Sequence, residues 1–595
     1  MPAPIRPPSE ASPTWRRLTR AEVHVEMTWN LADIFPTPEA WETEMAAVEA
    51  DIPTVTTYRG KLGEGTSVIL ACLEAYENLA ARTGRVSSYS FLNCAVDATS
   101  AAKQEAYARA QTLMAKVQAA ASFIRSEILT LHPCTVEGLL ADGDLEGDGG
   151  LSSYRPYLRG LLRQRPHQLS QQTEEALVAF GEVLGASKTI YDQSKMLDMS
   201  FPPATDSECH QHPLSFGAYE ARYQNTSDQT LRRSAWASFT AGLKGYRHTY
   251  AATWSTMVRR NIVHASLRRY ESARDMFLDE QGVPLKVYDS LHDVILAELA
   301  PHMRRYAELR RQVLGLDRLL YCDLEVPLDP GYLPAVTVEE GREMLLRALG
   351  ALGGEYRQII ADSFSHRWID WAENIGKSPH GTAGMVPGVH PYVMVTWTGS
   401  MRNTFTLAHE LGHAAQMFLS YIHQEPLNSI PSRFFMEAPS TANEAILGLD
   451  ALSSSTGERR RLWVLTYLLA SYHHNFVRHL IEGELERRIY ALAEREQAIT
   501  ERELSGVQGD ILREFWGDIL EIDDGARLTW MRQPHYYRGL YSYAYAAGLT
   551  IGTAVALALR DEGEPAAVRW VNALKACGAK GPLELAQIAG VDLIA

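Results

Sequence analysis

A chain of 595 residues with 46% hydrophobic and 22% charged positions can bury more than one core-sized unit and has an ordinary globular balance. Its formal net charge of −15 lacks the basic footprint that nucleic-acid binding requires, which excludes that function class. Six cysteines (Cys72, Cys94, Cys134, Cys209, Cys322 and Cys577) are scattered without a C-x-x-C pair, which excludes a disulfide framework and leaves buried thiols with no evident nucleophile.

The first twenty residues, MPAPIRPPSEASPTWRRLTR, are rich in proline and charge. They lack the apolar segment of a secretory signal, so a loose arm and a cytoplasmic location are expected. Residues 38–135 read as long helices, because apolar positions recur at three and four in AWETEMAAVEADI and in the run that begins SVILACLEAYENLAARTG. Residues 141–150, ADGDLEGDGG, resemble a calcium loop at Asp142, Asp144, Glu146 and Gly147. The twelfth position is Ser153 instead of glutamate, so a solvated turn is expected. The helical period returns at 171–187, 228–268, 285–315, 338–363, 456–498 and 501–521. A soft boundary near 190–200 separates an N-terminal helical region, 1–195, from a larger body, 196–595.

Strand-like sequence is scarce. The clearest stretch is HPYVMVTW at 390–397, between Gly388 and Gly399, and the preceding GKSPHGTAGMVPG reads as loop. An edge strand in this place could pair with an extended peptide backbone, which makes His390, Tyr392 and Gly399 candidate substrate-binding residues. From Gly539 to Leu559 the chain carries no charge over 21 residues, long enough to span a bilayer. Its tyrosines, serine and glycines favour a closely packed buried helix, so no membrane association is expected. The remaining histidines, among them His210, His212, His302 and His380, read as surface or core residues.

The stretch TLAHELGHAAQ, 406–416, carries the chemistry. Residues four apart share a helix face, so His409 and His413 can close on one ion. Zinc accepts two neutral imidazoles in a tetrahedral shell, and Glu410, one step round, flanks the ion as a general base. Phe405, Leu411, Ala414, Ala415 and Phe418 make the helix apolar, where an unpartnered His-Glu-His would be costly. A third histidine after a glycine is excluded, because those positions hold Leu419 and Gln416. Downstream acids compete for the third place: Glu425, Glu437, Glu444 and Asp450. Glu437 and Glu444 are seven apart and share a face if both are helical. One could bind the ion while the other orients a ligand histidine, and spacing alone does not order them.

HPYVMVTWTGSMRNTFTLAHELGHAAQ followed by FFMEAPSTANE resembles the oligoendopeptidase F branch of the thimet-oligopeptidase family of zinc metallopeptidases. Segments 268–284 and 314–328 share the resemblance, which extends from about residue 180 onward. It implies a mainly α fold: two helical halves around a deep substrate cleft, with a small β-sheet beside the metal-binding helix. It implies one zinc on His409, His413 and Glu437, Glu410 as general base, and Glu444 behind a ligand. The substrates implied are short unfolded peptides. A downstream His-and-Tyr segment stabilises the oxyanion in the family. Here QPHYYRGLYSYAYAAG offers His535 and, in order of preference, Tyr543, Tyr545 and Tyr541. Two departures, Thr396-Trp397 where Asn-Tyr is common and Gln416 where His is common, bear on the groove and leave the metal set intact. The alternative is a dipeptidyl carboxypeptidase-type exopeptidase in the same fold, anchoring a free C-terminus on a cation such as Arg532 or Arg538. The sequence carries no signal for oligomeric state.

Overall fold

The three-and-four spacing near the N-terminus resolves into three helices, α1 (Pro38–Thr56), α2 (Thr66–Ala95) and α3 (Ala101–Thr130), in a computed structural model. It describes residues 17–132, 135, 139–140, 151–378 and 381–594. The arm over 1–16, the acidic turn at 141–150, Cys134 and His380 lie outside the described residues. Thr37 caps α1 by accepting from the Ala40 amide, with Pro38 in the first turn, where its missing N–H is harmless. Trp41, Ile69, Leu73, Val117 and Ile124 form the buried core of this region, and the Trp41 indole donates to the Val86 carbonyl at 2.9 Å.

A second, larger core gathers residues from Tyr191 to Ala589. Its longest element is α4 (Gln229–Leu267), about 58 Å at 1.5 Å per residue, capped by Asp228 and burying Trp236, Phe239 and Trp254. Two expected helices are interrupted. A π-helical turn at Ile295–Leu299 breaks the 285–315 run, and another at His473–Arg478 breaks 456–498 into α7 (Glu458–Tyr472) and α8 (His479–Glu494). Such turns swell the helix by one residue and re-aim side chains, often at functional sites.

The strands are short. β1 (Ala204–Thr205) and β2 (Gln211–His212) pair antiparallel. β3 (Ile369–Asp370), β4 (Thr382–Met385) and β5 (Pro391–Met394) form a three-stranded sheet in the order β3-β5-β4. β5 therefore lies at the centre, parallel to β3 and antiparallel to β4, and all four of its residues are buried. This corrects the expectation that 390–397 is an edge strand. The edges are β3 and β4, and β4 lies inside the segment read as loop, because Gly381 and Gly384 hide its strand character.

Residues 19–35 strap this sheet to the molecule. Buried Asp370 receives Arg20 at 2.5 Å and the Lys377 ammonium at 2.7 Å, while the Tyr392 hydroxyl donates to the Asn30 carbonyl. From β5 the chain turns into α5 (Met401–His423), the helix that carries His409 and His413. Asn403 stitches that turn: its carboxamide accepts from the Thr398 and Ser400 amides and donates to the Thr396 carbonyl.

Two more helices complete the site, α6 (Ala438–Ser454) and α9 (Tyr543–Glu562). Most of the uncharged run lies in α9, a core helix whose Ala544, Ala547, Ile551 and Val555 are buried. It crosses the start of α6 at two glycines. A Cβ at Gly548 would sit 2.6 Å from the Glu437 Cβ, and one at Gly552 would sit 2.5 Å from the Thr441 hydroxyl.

Candidate active site

His409 and His413 sit one turn apart on α5, and Glu437 arrives at the N-terminus of α6. The approach is close. A Cβ at Gly412 would lie 2.5 Å from the Pro439 carbonyl oxygen, so only glycine lets the two backbones touch here. Asn443 fastens the contact by donating to the Ala408 carbonyl, and it is held in turn by the Tyr356 hydroxyl.

The donor atoms converge. His409 Nε2 and His413 Nε2 are 3.3 Å apart, and Glu437 Oε2 is 3.6 Å and 3.4 Å from them. A tetrahedral ion with donors at about 2.0–2.1 Å holds its donors about 3.3–3.4 Å apart, so the three atoms form one face of such a shell. The charge balance also calls for a cation. Burial alone would lower the His409 pKa, but the Glu444 hydrogen bond and the charges of Glu437 and Glu410 outweigh it and hold it at about 9. Burial would raise Glu437, yet His413, His409 and the Ser440 hydroxyl bring it down to about 2.

The geometry orders the two acids. Glu437 is in the donor set, and Glu444 accepts from His409 Nδ1 at 2.6 Å, which fixes the ring with Nε2 toward the other donors. Glu410 is 8% exposed and has no hydrogen-bond partner among the described residues. Burial raises its pKa. It lies against Gly381, where a Cβ would meet Oε1 at 2.6 Å, so that glycine makes its room. A cavity of about 700 Å³ opens over these groups, bounded by Thr382 and Met385 of β4 and by Glu77 and Ala80 of α2.

The three expected substrate-binding residues, His390, Tyr392 and Gly399, do not line this cavity. His390 stacks on Trp368 at 4.7 Å and contacts Asp33; Tyr392 is 1% exposed and spends its hydroxyl on Asn30; Gly399, at φ +77°, makes the turn into α5 and accepts from the Val336 amide. A central strand has both edges paired and offers no backbone to a peptide. The exposed edge is β4, which lines the cavity.

His535 gathers Tyr541 at 5.1 Å and Tyr545 at 5.6 Å between ring centres. Burial pushes the His535 pKa down to about 4, so the ring is neutral at pH 7. Tyr545 lies one turn before Gly548, which abuts Glu437, so it stands beside the donor set. Tyr543 does not. Two residues away, it faces the opposite side of α9, is 1% exposed, and donates to Gln281 at 2.7 Å. The preference for Tyr543 is therefore reversed in favour of Tyr541 and Tyr545.

Sequence reading missed the support under this pair. His479 stacks on Tyr545 at 4.1 Å, hydrogen-bonds Glu482 at 2.8 Å through Nδ1, and reaches His474 at 3.1 Å through Nε2. The signal was three histidines within HHNFVRH, 473–479, in a run read only as helix. Arg532, a proposed carboxylate anchor, is 5% exposed and already pairs with Glu220 at 2.9 Å.

The model for Peptidase family M3 matches residues 222–594, and the model described as Oligopeptidase F matches 127–201. Oligopeptidase PepF of Bacillus subtilis (strain 168) is 30% identical over 574 residues, covering 96% of this chain and 85% of its own. Group B oligopeptidase PepB of Streptococcus agalactiae is 27% identical, covering 96% and 94%. The crystal structure of oligoendopeptidase-F from Enterococcus faecium superposes with a TM-score of 0.71 at 25% identity, covering 93% and 94%. With a convergent His-His-Glu set at its centre and relatives along nearly its whole length, the chain belongs to the oligoendopeptidase F branch of peptidase family M3, a family of metallopeptidases.

Proposed function

We propose that the ion is zinc, held by His409, His413 and Glu437, and that the protein cuts internal bonds of short unfolded peptides. The observation that carries this reading is the donor triangle of 3.3, 3.4 and 3.6 Å, which suits a tetrahedral ion. An octahedral magnesium shell at about 2.0–2.1 Å would bring neighbouring donors to about 2.9 Å. When bound, zinc supplies positive charge beside the scissile carbonyl and lowers the pKa of a coordinated water toward about 7.

The chain's own residues do the rest. Glu410, buried and with its pKa raised, takes the proton of the attacking water and passes it to the leaving amine. Its raised pKa suits both halves of that transfer. His535 with Tyr541 and Tyr545 supplies N–H and O–H donors for the oxyanion, without the proton loss that a charged imidazole would risk. The free edge of β4 pairs with the substrate backbone, so main-chain hydrogen bonds give affinity for any extended peptide.

Elemental analysis of the purified protein, then mass-spectrometric mapping of cuts in peptides of graded length with free and amidated ends, tests the reading. About one zinc per chain and internal cuts in amidated peptides are expected. Cuts confined to free C-termini would establish the carboxypeptidase alternative, and a folded protein that neither binds zinc nor cleaves would refute the proposal.

A further inference from the structure

A second cavity, of about 370 Å³, lies between residues 324–333 and one face of α7, where it is lined by Trp463, Tyr467 and Tyr332. The metal helix reaches into it through Arg402. Arg402 is seven residues before His409. Two turns of helix return to within about 20° of the same face, about 10.5 Å along the axis. Tyr467 joins the two places: its ring packs on Phe405 at 4.2 Å, and its phenol feels the charges of both Glu444 and Arg402.

The other charged groups lining this cavity are satisfied. Arg459 pairs with Asp329 at 2.6 Å and His473 with Glu325 at 3.4 Å, and the Arg310 guanidinium donates to the Asp323 and Val326 carbonyls. Arg402 is exposed, and its side chain has no ion pair or hydrogen bond among the described residues. Among the groups that a peptide carries, the one that an unpaired guanidinium beside aromatic walls holds by two parallel N–H bonds is a planar carboxylate.

We infer that Arg402 selects peptides carrying a carboxylate about three residues from the bond that is cut, at about 3.4 Å per extended residue. The carboxylate is either the free C-terminus or an aspartate or glutamate side chain. The inference rests on the peptidase reading of the metal site and goes beyond it by naming the substrate class.

The experiment uses zinc-loaded full chain and quenched fluorogenic peptides in matched pairs. One pair differs only in a C-terminal acid or amide, another only in Asp or Asn, three residues from the scissile bond. The expected result is a kcat/KM ratio of about ten or more in favour of the carboxylate twin at low salt, falling toward one in Arg402→Gln. In Arg402→Glu the preference should pass to a lysine-bearing twin. The pair that responds identifies which carboxylate is read. Circular dichroism checks the fold of each variant. A wild-type ratio near one, a ratio unchanged in Arg402→Gln, or a collapse in Arg538→Gln instead would overturn the inference while cleavage itself stands. Absence of cleavage by the zinc-loaded wild type would bring down the peptidase reading and this inference together.

Discussion

Gly412→Ala separates two opposing effects at the metal site. In an ordinary exposed helix, alanine in place of glycine stabilises by about 1 kcal/mol. Here the new Cβ would stand 2.5 Å from the Pro439 carbonyl oxygen and 2.7 Å from the Pro439 carbonyl carbon and the Ser440 Cα. Ordinary contacts of carbon with such atoms are about 3.3–3.8 Å, so α5 and the start of α6 must part by about 0.8–1.1 Å. His409 and His413 ride on one side of that gap and Glu437 on the other. Donors held for one ion tolerate displacements of about 0.5 Å, so the 3.3–3.6 Å triangle opens beyond use. The overpacking costs about 1–3 kcal/mol and reverses the gain in helix propensity. Zinc affinity, measured by competition with a chromophoric chelator, should fall by about 100-fold or more, and the metal-free variant should unfold at lower denaturant. A folded Gly412→Ala protein with unchanged zinc affinity and raised stability would refute the claim that this contact sets the donor geometry.

Other perturbations test neighbouring links. Glu444→Gln keeps a hydrogen-bond acceptor behind His409 but removes its charge; zinc affinity in the same chelator competition should drop by about 10–100-fold. Tyr541→Phe and Tyr545→Phe should each lower kcat by about 10²–10³ with little change in KM, whereas Tyr543→Phe should leave kcat near wild type and cost about 1 kcal/mol of stability through the lost bond to Gln281. Equal losses of kcat at all three positions would discredit the placement of Tyr543 in the core. Acid stability can be tested at Glu484, which is 1% exposed. Its burial raises its pKa, but the His292 ring, 3.4 Å away, and the Arg487 guanidinium, which donates to it at 2.7 Å, outweigh this and bring it down to about 2. A carboxylate with a depressed folded pKa stabilises above its unfolded value near 4.5 and loses that contribution as pH falls from there toward 2. Denaturant midpoints measured from pH 5 to 3 should therefore fall more steeply for wild type than for Glu484→Gln, and parallel slopes would count against the pairing.

Much of this was legible from local signals. The helix over 228–268 shows its period, and the structure returns Gln229–Leu267 with Asp228 as its cap. The His-x-x-x-His pair needs only the helical repeat to point at one ion. What was not legible depends on distant contacts. Glu437 and Glu444 share a face, and only the docking of α6 on Gly412 decides which of them meets the histidine Nε2 atoms. The sequence reading prefers Tyr543 to Tyr545; being two apart they face opposite sides of α9, and the docking of Gly548 and Gly552 on α6 decides which of them stands beside Glu437. The run 390–397 carries the strongest strand signal because it is buried on both faces. That same burial made it the central strand, while the weaker glycine-bearing segment before it took the exposed edge. The π turn at His473–Arg478 has no signature in a single sequence, so the His474–His479–Glu482 support went unread.

The proposed mechanism needs zinc held by His409, His413 and Glu437 while Glu410 moves the proton. Zinc content and cleavage of one amidated peptide, measured side by side in wild type, Glu410→Gln and Glu437→Gln, test this most directly. The expected result is about one zinc in wild type and in Glu410→Gln, with cleavage in the latter reduced by about 10²–10⁴-fold or more, and loss of both zinc and cleavage in Glu437→Gln. Wild-type cleavage rates in Glu410→Gln, or full zinc occupancy in Glu437→Gln, would contradict it.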